Sequence, residues 1–217
     1  MSLPIYFVQD PALPSAGRVA GCGWYCAPDG SLHCPEAGQT DALVFDDREP
    51  LPEGFDGLLS SLLSRAEAVR CEVILLDFER PPSDAAKRFA AALSQLHRTA
   101  APLPFCAGGC EPIVCYQPSK QTFPEFLALL RQRPCWAELR PVEETVCYPA
   151  EHPPDGAGDF FSDILQCHYR AERSEDSLVL HLFDTPESFS RRFSRIAPYL
   201  LAAVGLPEEL RAMEFLR

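Results

Sequence analysis

Between residues 41 and 131 short apolar runs alternate with longer segments of helical spacing, and this alternation confines the chain to an α/β fold with a largely parallel sheet. Ala42-Leu43-Val44-Phe45 reads as a strand, ended by Asp46-Asp47. From about Phe55 to Arg70 the spacing is helical, with Leu58, Leu59, Leu62, Leu63 and Ala66 on one face. Val73-Ile74-Leu75-Leu76 is apolar throughout, as expected of a strand buried on both faces of a parallel sheet. Ser83 predicts an N-cap for an amphipathic helix over residues 84–98, with Phe89, Ala92, Leu93 and Leu96 inward.

Further strands are predicted at the N-terminal Ile5-Tyr6-Phe7-Val8 run and at residues 103–106, 112–116, 136–148, 164–169 and 178–183. A helix is expected over residues 124–131, and Thr185-Pro186 opens a last long one. About eight strands with helices after the central ones predict a single domain over residues 1–217, a compact and irregular (β/α)8 barrel of the TIM type. Such barrels use about 250 residues, so here loops must replace one or more helices. An open doubly wound sheet is the competing architecture. The Pro/Gly/Asp-rich stretch over residues 149–159 is expected to be the mobile one.

Nineteen basic against 31 acidic residues give a formal charge of -12, which disfavours a nucleic-acid partner, because that binding rests on Lys and Arg neutralising phosphates. No run reaches the roughly 20 apolar residues of a membrane-spanning helix. The N-terminus has no positive region ahead of its apolar stretch, so a cytoplasmic location is expected and the ten cysteines are read as free thiols. Cys22, Cys26, His33 and Cys34 could meet a zinc ion, but only Cys22 and Cys26 have the spacing of a structural pair. Neither a Walker pattern nor Gly-x-Gly-x-x-Gly occurs, and no cofactor or metal is expected.

The candidate site is Asp77-Phe78-Glu79, at the end of the most apolar strand. Side chains alternate along a strand, so Val73, Leu75, Asp77 and Glu79 point one way and Ile74, Leu76 and Phe78 the other. The second set suits a helix-covered face, which turns both carboxylates toward the barrel axis at the C-terminal mouth, where barrel enzymes carry their chemistry. Two carboxylates this close resist joint ionisation, so one holds a proton nearer neutrality and can protonate a leaving-group oxygen. The bland alternative is that both begin a loop, with Glu79 and Arg80 as a surface ion pair.

Glu72-Val73-Ile74-Leu75-Leu76-Asp77-Phe78-Glu79 resembles the Asp-x-x-Asp-x-Asp-x-Glu signature of the chitinase-like family 18 glycoside hydrolases, with Glu72 at the first acidic position and Leu75 at the second. The resemblance implies a barrel in which Glu79 is the general acid and Asp77 orients a substrate acetamido group, with Tyr116 as the strand-end tyrosine assisting it. A strand-end Asp-x-Glu is also similar to family 25 lysozymes. Asp46, Asp47, Gln117, His181 and Asp184 are the polar residues expected to line a sugar pocket beside them. For His181 the reading as a satisfied core histidine is preferred, and Trp24, Tyr25 and Trp136 read as packing residues ahead of sugar platforms. With Leu75 in an acidic position, the alternative is an inactive barrel that binds carbohydrate or peptide. A thiol enzyme built on Cys106, Cys110 and Cys115 near Gly108-Gly109 is the third reading.

Overall fold

The computed structural model describes residues 3–9, 17–35, 40–106, 108–149, 158–174 and 177–215. In chain order its elements are β1 (Ile5–Gln9), β2 (Arg18–Cys26), β3 (Leu32–His33), β4 (Ala42–Asp46), α1 (Asp56–Ala68), β5 (Val73–Asp77), α2 (Asp84–Leu96), β6 (Thr99–Pro102), β7 (Glu111–Cys115) and α3 (Phe123–Gln132). There follow β8 (Cys135–Glu138), β9 (Glu143–Pro149), β10 (Asp159–Ser162), β11 (Cys167–Ser174), β12 (Ser177–Phe183), α4 (Pro186–Ile196), β13 (Leu200–Gly205) and α5 (Pro207–Ala212). These form two compact units, one of residues 1–114, 134–138 and 201–207, the other of residues 115–133, 139–200 and 208–217. Among the described residues no helix is long and apolar enough to cross a membrane.

The first unit is a closed barrel of eight parallel strands in the order β1-β2-β4-β5-β6-β7-β8-β13, with β13 pairing back onto β1 and β3 appended antiparallel to β2. Its interior holds Tyr6, Ala20, Ala42, Val44, Val73, Leu75, Ala100, Trp136, Ala202 and Val204. An eight-stranded barrel has just enough room for side chains, and alanine on four of these strands makes space for Trp136 and Tyr6, whose rings lie 5.2 Å apart. The other strand faces carry Leu43, Phe45, Ile74, Leu76 and Phe78, packed against Leu58, Leu62 and Ala66 of α1 and Phe89, Ala90 and Leu93 of α2. The alternation predicted for β5 is therefore present, with Val73 and Leu75 inside and Ile74, Leu76 and Phe78 under the helices.

In β2 the alternation reverses at a bulge between Gly21 and Trp24, where Gly23 takes φ +92°. Ala20 faces the interior, yet Trp24 and Cys26, an even number of residues on, pack on the helix side. The bulge supplies the extra residue that turns Tyr25 the other way and pairs it with Asp46.

Charged pairs occupy the N-terminal end of the strands. Tyr6 Oη donates to Glu72 at 3.2 Å and accepts from Arg18, which pairs with Glu72. Glu111 takes Arg98 at 3.0 Å and Trp136 Nε1 at 2.6 Å. Glu72, the first acidic position of the motif, thus lies at the opposite end of β5 from Asp77.

The second unit contains an antiparallel sheet in the order β10-β11-β12-β9, together with α3 and α4. Both helices open with a capping box, Thr122 with Glu125 and Thr185 with Ser188. At its core Asp184 accepts from Arg192 at 2.6 and 2.5 Å, from Ser188 Oγ at 2.9 Å and from the Val142 N–H at 2.7 Å.

Several predicted boundaries move. The helix over residues 84–98 ends at Leu96, and the strand predicted at 103–106 is Thr99–Pro102, followed by a 3-10 turn at Leu103–Phe105. Pro102, lacking an N–H, ends that ladder. The run 136–148 splits around Pro141 into β8 of the barrel and β9 of the antiparallel sheet, and 164–169 holds a turn, with Gln166 at φ +53°, before β11. Strands 164–169 and 178–183 were expected in the barrel and lie in the antiparallel sheet, while β2 and β13 complete the barrel instead. Of the stretch expected to be mobile, residues 150–157 lie outside the described residues.

Candidate active site

Parallel pairing of β4 with β5 sets Asp46 beside Asp77, and pairing of β2 with β4 sets Tyr25 beside Asp46. Asp46 continues the inward series Ala42, Val44, and Asp77 continues Val73, Leu75, so two carboxylates stand side by side at the C-terminal mouth. Asp46, Asp47, Arg48, Asp77, Glu79 and Arg80 line an open depression of about 630 Å³ there.

Two of the four acids are neutralised by local partners. Asp46 accepts from Arg48 Nε at 2.8 Å and Nη2 at 2.6 Å, and the same guanidinium lies 3.9 Å from the centre of the Tyr25 ring. Tyr25 in turn stacks on His33 at 4.3 Å. Asp47 is only 6% exposed and accepts from the backbone N–H groups of Glu79 at 2.9 Å and Arg80 at 3.1 Å. Arg80 closes the brace by donating from Nε to the Asp47 carbonyl at 2.6 Å and from Nη2 to the Arg48 carbonyl. The turn after β4 and the turn after β5 are thereby fastened to each other, and the Glu79 backbone with them.

Asp77 and Glu79 form no ion pair among the described residues. Asp77 presents surface to water, yet the walls of the mouth remove enough of its hydration to raise its carboxyl to about 6, with Glu79, Glu138, Asp46 and Asp47 adding repulsion. A group in a concave mouth can be reached by water on one side and still be poorly solvated. Glu79 lies past the strand end and is exposed.

Tyr116, Gln117, His181 and Asp184 belong to the second unit. Tyr116 is buried between Phe123 and Phe126 and donates its hydroxyl to the Leu165 carbonyl at 2.7 Å. Burial raises its hydroxyl pKa further above the ordinary value. The Gln117 carbonyl accepts from the N–H groups of Lys120 and Gln121 in a turn. His181 is half-exposed on β12, 3.5 Å from Glu172 and 3.2 Å from Thr145 Oγ1. Asp184 is spent on the buried ion pair with Arg192 described above. Trp24 and Trp136 are core residues. Among the described residues no group of three or more His, Cys, Asp or Glu is arranged to hold a metal ion; Cys26 Sγ donates to the Ala27 carbonyl and His33 stacks on Tyr25.

Arg48, Arg80 and Tyr25 were not singled out from the sequence as parts of this site. The two arginines follow the strand-end acids by two and three residues, Arg48 after Asp46 and Arg80 after Asp77, a signal that could have marked them; Tyr25 could not be placed without the bulge in β2.

No protein-family model matches the chain, and no curated protein sequence matches it. Solved structures do. The spore cortex-lytic enzyme SleL of Bacillus cereus matches with TM-score 0.61 at 12% identity, over 98% of this chain and 74% of that one. SleL of Bacillus megaterium matches with TM-score 0.53 at 10% identity, over 98% and 73%. A mutant class V chitinase from Nicotiana tobaccum, in complex with NAG4, matches with TM-score 0.54 at 8% identity, over 99% and 98%. At such identities the likeness is one of fold: the chain has a TIM-type barrel like those of these cortex-lytic and chitinase structures.

Proposed function

We propose that this barrel takes an N-acetylated glycoside at the mouth above β4 and β5 and hydrolyses it, with Glu79 as general acid and Asp77 as the carboxyl that orients the acetamido group. The observation that carries the reading is the pair Asp77 and Glu79, left without counter-charges in a depression whose other acids are neutralised. A carboxyl that keeps its proton to about pH 6 can donate a hydrogen bond to an acetamido oxygen, while Glu79 at the lip is open to a leaving-group oxygen. The glycoside-processing names of the structural neighbours, and the NAG4 bound in one of them, point to the same substrate class.

A second reading has its own support. Leu75 occupies the second acidic position of the motif and is 2% exposed inside the barrel, so Asp77 has no acid beneath it to share a proton with. The Tyr116 hydroxyl is committed to the Leu165 carbonyl. Both favour a barrel that keeps a carbohydrate pocket and lacks turnover.

One assay separates them. The parent protein and Glu79→Gln are given aryl glycosides, chitin oligosaccharides and peptidoglycan fragments, with hydrolysis and binding measured together. Turnover in the parent that drops at least about 100-fold in the variant is expected for a general acid. Equal turnover in both removes Glu79 from the chemistry, and binding by the parent with no hydrolysis establishes the second reading.

A further inference from the structure

On the β3 side of Asp77 each successive strand brings one polar or aromatic side chain to the mouth. Asp46 stands opposite Asp77, Tyr25 opposite Asp46, and His33 of the appended β3 opposite Tyr25. Neighbouring strands lie about 4.8 Å apart, so the row from Asp77 to His33 crosses three strand intervals, about 14 Å. The chain builds the outer half of this row deliberately. The bulge in β2 turns Tyr25 inward, and a tight hairpin returns His33 beside it, with Gly30 at φ +82° and Asp29 Oδ1 accepting from the Ser31 N–H at 2.9 Å.

Arg48 is fixed within the row. The Asp46 carboxylate accepts from its backbone N–H at 3.1 Å, from Nε at 2.8 Å and from Nη2 at 2.6 Å, and Arg80 donates to its carbonyl. Tyr25 backs the guanidinium at 3.9 Å, and His33 backs Tyr25 at 4.3 Å. The plane of the guanidinium is thus set before a ligand arrives, and binding carries little of the cost of ordering a long side chain. Among the described residues its Nη1 has no acceptor, and the side chain is 52% exposed in the wall of the depression. Asp46 and Arg48 together are neutral and set acceptors and donors side by side. Such a pair suits hydroxyl groups, which both give and take hydrogen bonds, better than it suits an anion.

We propose that Asp46 and Arg48 form a second sugar subsite, adjacent to the sugar at Asp77, and that the glycan continues from it across β2 toward Tyr25 and His33. A pyranose residue in a chain is close in length to the strand spacing, so successive sugars meet successive strand ends. Arg48 Nη1 donates to a hydroxyl or acetamido oxygen of the second sugar, and Asp46 accepts from a neighbouring hydroxyl. The depression of about 630 Å³ has the size of a site for a ligand larger than one sugar ring. This inference rests on the glycoside reading of the mouth, and adds to it the direction of the chain and a preference for an oligosaccharide.

The test titrates Glu79→Gln, which leaves the glycan uncut, with a chitin hexasaccharide by calorimetry, and repeats the titration with Arg48→Lys or Arg48→Met added. Lysine keeps a cation beside Asp46 but has neither the plane nor the fork of the guanidinium. Both additions are expected to weaken binding by about 10-fold or more, as the loss of one hydrogen bond to a charged group implies. The ring signals of His33 are expected to shift in the NMR spectrum when the hexasaccharide binds. Full affinity with Arg48→Lys would confine Arg48 to neutralising Asp46 and overturn the subsite, and unmoved His33 signals would overturn the direction of the chain. If neither the parent nor Glu79→Gln binds any N-acetylated glycan, the reading of the mouth itself falls, and the subsite with it.

Discussion

Asp47 follows strand-end Asp46, and the structure gives it a different task. Its buried carboxylate holds the N–H groups of Glu79 and Arg80, at 2.9 and 3.1 Å, so the lip carrying Glu79 depends on it. Asp47→Asn keeps the shape but offers one accepting oxygen and turns an NH2 toward the other backbone donor. A hydrogen bond to a charged group contributes about 1.5–3 kcal/mol, and water reaches this half-buried turn, so a loss of about 2 kcal/mol is expected. With a urea slope of about 2 kcal/mol/M the unfolding midpoint falls by about 1 M. The local consequence is sharper: exchange of the Glu79 and Arg80 amide hydrogens accelerates by up to about 30-fold if the turn opens by the same free energy. Asp46→Asn is the control, since its exposed pair with Arg48 contributes at most about 1 kcal/mol and touches neither amide. A midpoint within about 0.2 M of the parent, with unchanged exchange at both amides, would refute the brace.

Other consequences can be measured with the same samples. Asp77 should titrate near 6 by carboxyl NMR, and Glu79→Gln should move it toward 3.8 because one repelling charge is gone; an unmoved midpoint would show that the two do not interact. A raised folded-state pKa means that the native chain holds this proton more tightly than the unfolded one, so its effect on stability is nil at pH 3, turns unfavourable between about pH 4 and 6, and is constant above. Asp77→Asn should therefore stabilise the protein above pH 6 and not at pH 3, by no more than about 1 kcal/mol given its contact with water. Gly23→Ala should cost about 1–2 kcal/mol, because φ +92° is strained for any side chain although Pro35 leaves room for a Cβ; a neutral result would mean the bulge relaxes freely. Asp184→Ala leaves Arg192 buried without its counter-charge and should cost about 3–5 kcal/mol in thermal or denaturant unfolding, whereas a cost under about 1 kcal/mol would place water around that pair.

The part of the fold that was legible in the sequence is the part with unbroken periodicity. β4, α1, β5 and α2 follow one another with clean alternation and helical spacing, and their placement gives the inward direction of Asp77. β2 was not legible because a bulge reverses its alternation midway and its Gly21-Cys22-Gly23 centre has the composition of a loop. β13 was missed because Leu200–Gly205 follows α4 through a short 3-10 turn and reads as the continuation of an apolar helix. The predicted strand number was close to that of the barrel by cancellation, since these two omissions offset two antiparallel strands assigned to it. Candidate residues on β12 and after it were chosen as barrel strand ends, and Asp184 shows what such a pattern conceals. An acid at a strand end satisfies a buried arginine as readily as a ligand, and only the position of Arg192, eight residues on, tells the two apart.

The mouth of the barrel sets a narrower question than the motif alone. Its carboxylates differ in what compensates them: Asp46 has an arginine, Asp47 has two backbone amides, and Asp77 and Glu79 have neither. Uncompensated acids are costly to keep together, and at a site serving only stability nothing repays that cost. A substrate that accepts a hydrogen bond from a proton-holding Asp77 would repay it on binding, in either reading of the protein. Hydrolysis asks in addition that a proton be returned to Glu79 in each cycle. With Leu75 apolar and buried beneath Asp77, that return has no acid inside the barrel to draw on and must come from Asp77 itself or from water in the open depression. A hydrolytic rate that follows the titration of Asp77 would identify the first route; one indifferent to Asp77→Asn would identify the second.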